Sequence, residues 1–343
     1  MAREILFMKA INEALDQAMA KDETVVLLGE DIAGGAEVKH LEEQNEDAWG
    51  GVMGVTKGLM QKYGRERVID TPISEHGYMS SSVGMAVTGL RPVPELMFND
   101  FIGFCFDALL GQGSKMRYIF GGKAKVPMTV RTMHEAGASA AAQHSGTYYG
   151  LFGSIPGLKV VVPATPYDAK GLLLSSIEED NIVIFSEDKT LYGMKGEVPE
   201  EYYTIPIGKA AVRREGSDLT IVTIGKMLYV AYEVADQLAK DGISTEVIDL
   251  RTVAPWDQET VLNSVKKTGR LIIIDESNPH NNTATDIAAV VTDQAFDYLD
   301  GPVKRVTAPN TPVPFATNLE QLYIPNAQRV IETASELIDD LKS

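Results

Sequence analysis

The sequence predicts an α/β protein built from two parallel-sheet domains, and three observations carry that prediction. Short β-branched runs alternate with amphipathic helical stretches along nearly the whole chain, the order that builds parallel sheets covered by helices. The chain has 343 residues, whereas single domains run to about 100–200. Between Thr190 and Pro206 the alternation lapses into Gly193, Gly196, Pro199 and a cluster of charges and tyrosines, the composition of an interdomain linker. The expected division is therefore a first domain over 1–190, a linker over 191–206 and a second domain over 207–343.

In the first half, Thr24-Val-Val-Leu-Leu-Gly29, Val68-Ile-Asp70, Pro92 to Met97, Val126 to Thr132, Leu158 to Val162 and Ile182 to Ser186 read as buried strands, being short, apolar and bounded by turn residues. Helices fill the gaps. The clearest opens at Thr165-Pro166, an N-cap followed by proline at the first helical position. It runs through Asp168, Ala169, Leu172, Leu173 and Ile177 to the polar Glu178-Glu179-Asp180. After the linker, Leu219 to Ile224, Ser244 to Leu250, Leu271 to Asp275 and Val303 to Thr307 are strands. Leu228 to Leu238, Gln258 to Lys267, Thr283 to Leu299 and Asn326 to Leu341 carry helical periodicity.

Composition excludes several classes. Apolar residues at 44% and charged residues at 23% fit a globular protein with a sizeable core. With 48 Asp and Glu against 31 Lys and Arg, the net charge of -17 repels phosphate backbones and anionic lipid, so neither nucleic acid nor a membrane surface is an expected partner. No apolar run approaches the ~20 residues that span a bilayer. The single cysteine, Cys105, lies in the apolar run Phe101 to Leu110 and cannot close an internal disulfide, which fits a packing role and a cytoplasmic protein. Met1 to Ala10 mixes Arg3, Glu4 and Lys9 into an amphipathic pattern unlike a signal peptide. Gly111-Gln-Gly113 lacks the third glycine of a dinucleotide fingerprint, and no P-loop, Gly-x-Ser-x-Gly or His-Glu-x-x-His motif is present.

Two short segments have the makings of a site. Thr71-Pro-Ile-Ser-Glu75-His76-Gly77 follows a strand end and precedes the small-residue run Ser80 to Ala86. Glu75 thus stands at a strand-to-helix junction, where α/β proteins place ligand contacts. Its residues alone leave open a simpler role, a carboxylate meeting a helix N-terminus. Ala140-Ala-Ala-Gln143-His144-Ser145-Gly146 places a histidine and several hydrogen-bonding groups in a small-residue loop that a ligand can approach, although a lone histidine is more often structural.

These residues belong to a wider pattern: Gly29-Glu-Asp31, Asp70-Thr-Pro-Ile-Ser-Glu75, Gly89-Leu-Arg-Pro92, Gln143-His-Ser145, Pro156-Gly-Leu-Lys159, Tyr167-Asp-Ala-Lys-Gly171 and Asp249-Leu-Arg-Thr252. The chain resembles the beta subunit of the thiamine-diphosphate-dependent first component of 2-oxo acid dehydrogenase complexes, in the transketolase superfamily. Trp49 to Lys57, Leu96 to Phe101 and Thr311 to Phe315 are more similar to acetoin dehydrogenase beta subunits than to pyruvate or branched-chain ones. The resemblance implies a transketolase-like pyrimidine-binding domain followed by a transketolase C-terminal-like domain. It implies thiamine diphosphate as cofactor, with Glu75 supplying the carboxylic acid that bonds the aminopyrimidine and promotes its imino form. Phe101 would stack on that ring, although an ordinary core phenylalanine is an equal reading of the residue alone. His144 would position substrate and handle protons near the reacting carbon. A potassium ion is implied near Met128, Ser176, Ile177, Glu179 and Asn181 through backbone carbonyls.

Thiamine enzymes hold the diphosphate through magnesium at a Gly-Asp-Gly motif, which this chain lacks. The resemblance therefore implies an alpha subunit that holds the magnesium, a tetramer of two alpha and two beta subunits, and docking to a lipoyl acyltransferase core. The acidic charge would suit a basic binding domain on that core. The implied activity is cleavage of acetoin to acetaldehyde with oxidative transfer of the two-carbon unit to a lipoyl arm. Two alternatives stand beside it: pyruvate or a branched 2-oxo acid as substrate, or a catalytically silent assembly subunit. The chain also departs from acetoin-type relatives. Glu135 to Ser139 replaces Gly-Ala-Gly-Phe-Arg, Gly146 replaces a common glutamine, His280-Asn-Asn282 replaces Arg-Cys-Ser, and Asn310 replaces a histidine.

Overall fold

The computed structural model describes residues 2–34 and 50–339. Trp49, the first residue of one family-like segment, lies outside them. The chain forms two compact units: Met1–Met133 with Ile155–Val161 and Thr165–Ile207, and His134–Ser154 with Val162–Ala164 and Gly208–Ser343. The units are not contiguous as expected: residues 134–154 and 162–164 pack with the C-terminal unit, and the first unit runs through the expected linker to Ile207.

The first unit's strands are β1 (Ala2–Leu6), β2 (Val25–Gly29), β3 (Val68–Asp70), β4 (Arg91–Phe98), β5 (Thr129–His134), β6 (Lys159–Val161), β7 (Val183–Asp188) and β8 (Lys195–Pro199). Six of them lie side by side in the order β6-β7-β5-β4-β2-β3, and the registered pairs are parallel. Every residue of β2, β5 and β7 is buried, as expected of strands covered on both faces. The predicted strand Val126 to Thr132 starts later, at Thr129, because Pro127 has no amide to offer a ladder.

Helix Phe7–Lys21 buries Phe7, Ala10, Ile11, Ala14, Leu15, Ala18 and Met19, the one-face spacing of a 3.6-residue period. Helix Pro166–Glu178 begins at the expected cap, the Thr165 side chain accepting from the Asp168 amide at 3.1 Å. Cys105 is fully buried, and burial pushes its thiol up to about 12, in keeping with a packing role.

The expected linker 191–206 carries β8, which pairs antiparallel with β1. Its end is tied down by Lys170, whose buried Nζ donates to the carbonyls of Pro199 (2.7 Å), Glu200 (3.1 Å) and Glu201 (2.9 Å) and to Glu13 (2.6 Å). An ammonium buried this deeply must be fully bonded. That requirement gives a physical reason for the lysine of Tyr167-Asp-Ala-Lys-Gly171.

In the second unit a five-stranded sheet runs β14-β13-β10-β11-β9, with β9 (Ala211–Arg214), β10 (Leu219–Thr223), β11 (Thr245–Asp249), β13 (Leu271–Asp275) and β14 (Lys304–Thr307). The short strand β12 (Thr252–Ala254) follows β11 in the chain. All pairs in the five-stranded sheet are parallel except the β9 edge. Leu219, Ile221, Ile272 and Ile274 pack with Leu228, Ala231 and Ala235 of helix Met227–Lys240 and with Val330 and Ala334 of helix Ala327–Asp339. Helix Gln258–Thr268 is capped by Asp257 and ended by Gly269 at φ 70°, a backbone position that favours glycine. Among the described residues no helix is long and apolar enough to cross a membrane.

Candidate active site

Parallel pairing of β2 with β3 and β4 brings three strand ends to one edge of the first unit's sheet. Glu30 and Asp31 follow β2. The Thr71 amide donates to the Gly29 carbonyl at 2.9 Å, and Glu75 stands four residues farther on, in the first turn of helix Glu75–Val87. Asn99 to Phe101 turns the chain after β4. Burial first, then the neighbouring charges of Glu75, Asp31 and Glu95, holds the Glu30 carboxyl above its ordinary range.

This edge also leaves polar atoms unpaired. Glu30 Oε1, Thr71 Oγ1, the Tyr78 hydroxyl and both amide atoms of Asn99 are buried and have no hydrogen-bond partner among the described residues. Each such group costs about 1–3 kcal/mol in the folded chain, and these five atoms lie on segments that meet at one sheet end. Phe101 is half-buried, its ring edge-on to Phe98 at 5.8 Å and 90°. It is therefore not a fully buried core side chain.

Sequence reasoning missed the polar group inside the same sheet. Arg131 donates to Glu95 (2.6 Å) and, through two nitrogens, to Glu187 (2.6 and 2.8 Å), which also accepts from the Tyr192 hydroxyl at 2.5 Å. All are buried. One guanidinium serves two carboxylates, and burial raises Glu95 in spite of it. The available signal was a charge inside each of two apolar runs, Glu95 in Pro92 to Met97 and Arg131 in Val126 to Thr132.

His144 belongs to the second unit, in the loop between β5 and helix Tyr149–Gly153. It is half-buried, and its amide donates to the Ala141 carbonyl at 3.3 Å. At the start of that helix Tyr149 donates its hydroxyl to Asp275, which also accepts from the Ser277 amide (2.9 Å) and hydroxyl (2.6 Å) and the Ala284 amide (3.2 Å). The His134 ring meets Tyr149 edge-on at 5.6 Å.

The residues expected around potassium also lie in the first unit, where four of their carbonyls each accept one hydrogen bond. Met128 accepts from the Val183 amide (2.9 Å), Ser176 from the Glu179 amide (3.3 Å), and Ile177 and Glu179 from Arg91 (2.9 and 3.0 Å). The Asn181 side chain bonds Glu179 and Arg117. Arg91 thus sets a guanidinium beside two of these carbonyls.

Comparison with known proteins gives this geometry its context. Residues 3–195 match the family model "Transketolase, pyrimidine binding domain", and residues 208–330 match "Transketolase, C-terminal domain". The chain is 59% identical over 340 residues, 99% of each chain, to the acetoin:2,6-dichlorophenolindophenol oxidoreductase subunit beta of Bacillus subtilis. Its counterpart in Cupriavidus necator is 52% identical, with 97% of each chain covered. The pyruvate dehydrogenase E1 component subunit beta of Bacillus subtilis is 41% identical, with 98% and 99% covered. The chain therefore belongs to the transketolase family, among the beta subunits of the acetoin and pyruvate dehydrogenase kind. In fold it is similar to a split gene transketolase described as an inactive beta4 tetramer, with a TM-score of 0.76 at 21% identity over 98% of both chains.

Proposed function

We propose that the chain is the beta subunit of a thiamine-diphosphate-dependent oxidoreductase. With an alpha partner it cleaves acetoin to acetaldehyde and passes the two-carbon unit to a lipoyl acyltransferase. The observation that carries the substrate is 59% identity over the full chain to an acetoin relative, against 41% to a pyruvate one. The balance closes: the oxidised lipoyl disulfide accepts the acetyl group on one sulfur and a hydrogen on the other, and acetaldehyde leaves. Thiamine diphosphate, when bound, supplies the carbon nucleophile and the electron sink for that cleavage.

This chain's own residues bind, orient and hold protons. Glu75, at the head of its helix, would hold a proton against a pyrimidine nitrogen, and the Phe101 face would hold the ring flat. The unpaired atoms of Glu30, Thr71, Tyr78 and Asn99 fit such a polar, nitrogen-bearing group. His144 would exchange a proton with the substrate oxygen. Magnesium falls to the alpha subunit, since no Gly-Asp-Gly occurs here. The assembly is two alpha and two beta chains in the cytoplasm. The first domain serves the pyrimidine, and the -17 charge faces a basic domain of the lipoyl core.

Dye reduction by the co-expressed alpha and beta chains, with thiamine diphosphate and magnesium, tests the reading. Acetoin should exceed pyruvate and 2-oxoisovalerate by at least about tenfold in kcat/KM. A preference for either 2-oxo acid would overturn the substrate.

A further inference from the structure

The loop that carries His144 is held in an unusual backbone by a side chain far away in sequence. Glu135 (φ 110°), Gly137 (φ 114°), Ser139 (φ 51°) and Ala141 (φ 61°) all lie in the left-handed half of conformational space. Three of the four are not glycine, and each such position costs about 1–3 kcal/mol and persists only where its surroundings over-determine it.

Two charged side chains of the same unit do so. Glu320, 1% exposed on helix Thr317–Tyr323, accepts from the Gly137 amide at 2.7 Å, the Ser139 amide at 3.0 and 3.2 Å, and the Ser139 hydroxyl at 3.4 Å. Thr317 adds a 3.0 Å contact to that hydroxyl. Lys226 donates to the Ala136 carbonyl at 2.7 Å and pairs with Glu135 and, at 3.0 Å, with Glu276. Amides turned inward by alternating backbone form a concavity for an anion. The Glu320 carboxyl fills it, so two elements 181–183 residues apart in sequence fix each other. Farther along the loop, the left-handed Ala141 offers its carbonyl to the amide of His144.

We infer that Glu320 is a positioning residue for His144: it holds residues 137–139 in the conformation from which the chain delivers the imidazole. The inference rests on the proposed role of His144, and its test separates the two. Full-length Glu320→Ala and Glu320→Gln, each assembled with the alpha subunit, are compared with the parent by hydrogen exchange and steady-state kinetics. In Glu320→Ala, exchange across 136–146 should rise at least about tenfold while β10 and β13 keep their protection. The kcat should fall about 10–100-fold with KM for acetoin within about threefold, the pattern of misplacement rather than lost binding. Glu320→Gln keeps the shape and one acceptor oxygen, and it should lose about three- to tenfold.

Unchanged exchange over 136–146 in both variants overturns the inference. So does faster exchange with undiminished kcat, provided His144→Ala is inactive. A fully active His144→Ala overturns the proposed role of His144 instead, and the exchange result then still decides whether Glu320 holds the loop. A fall in activity matched by equal loss of protection in β10 and β13 would make Glu320 a stability residue only.

Discussion

At the carboxyl end of the first unit's sheet, Glu30, Thr71, Tyr78 and Asn99 keep buried polar atoms without partners among the described residues. In the second unit Asp275 accepts four donors and Glu320 three, from groups within the chain. A folded chain gains nothing from leaving polar groups unpaired, so the first region pays in stability for a surface kept ready. In the second, Asp275 and Glu320 are spent on holding backbone. One family of residues, carboxylates and hydroxyls, thus does opposite work according to what has already been bonded.

The largest effect should come from the first region. Glu75→Gln keeps size and shape but removes the acid, and turnover of the assembled enzyme should fall by about 10²–10⁴. Size-exclusion chromatography should show unchanged assembly. Activity within tenfold of the parent would remove Glu75 from the chemistry and leave it as a helix-terminal carboxylate.

Next is the charge inside the same sheet. Arg131→Met strands Glu95 and Glu187 without their shared cation, at a cost of about 3–5 kcal/mol. Urea denaturation of the isolated chain would read it. A loss below about 1 kcal/mol would mean that Arg131 is not what holds the two carboxylates in the interior.

How much of this was legible in the sequence follows the same division. Strands such as Val68–Asp70 and Leu271–Asp275, and the start of the helix Pro166–Glu178, were readable because period, cap and proline all agreed. The antiparallel pair β1 and β8 was not, because Gly196, Glu197 and Pro199 contradict local β-propensity and the pairing is fixed from outside by Lys170. Glu75 and Phe101 enter the proposed site through the family resemblance. Glu320 could not be read from the sequence, since its meaning depends on an amide 183 residues away, and the membership of His144 in the second unit depends on packing alone.

Paired substitutions sharpen the contrast by their sign. Asn99→Leu removes two unpaired atoms and should leave the melting temperature of the isolated chain unchanged or higher. It should also reduce the further rise caused by thiamine diphosphate once the alpha chain is present. Tyr149→Phe takes one donor from Asp275 and should cost about 1.5–3 kcal/mol whether or not cofactor is added. Equal losses from both substitutions would mean that Asn99 is bonded in solution, and the distinction between the regions would fail.

The smallest expected effect is a pH dependence centred on Glu30. Its folded carboxyl titrates above the ordinary value of 4.5 because of burial and then the charges of Glu75, Asp31 and Glu95. A raised acid binds its proton more tightly folded than unfolded. Its contribution is therefore fully present below 4.5, declines as pH rises through the folded value, and is absent above it. Asp180 runs the other way. Bonding to Lys125 and Arg91 lowers it from 3.8, so its contribution is present at neutral pH and lost on acidification. Glu30→Gln should thus gain melting temperature relative to the parent as pH rises from 4.5 to 7, by about 1–2 °C in the isolated chain. An equal difference at both pH values would mean that Glu30 is solvated and the first region less closed than its unpaired atoms indicate. A difference that grows with pH but vanishes on binding thiamine diphosphate in the assembled enzyme would tie the strain directly to the ligand that relieves it.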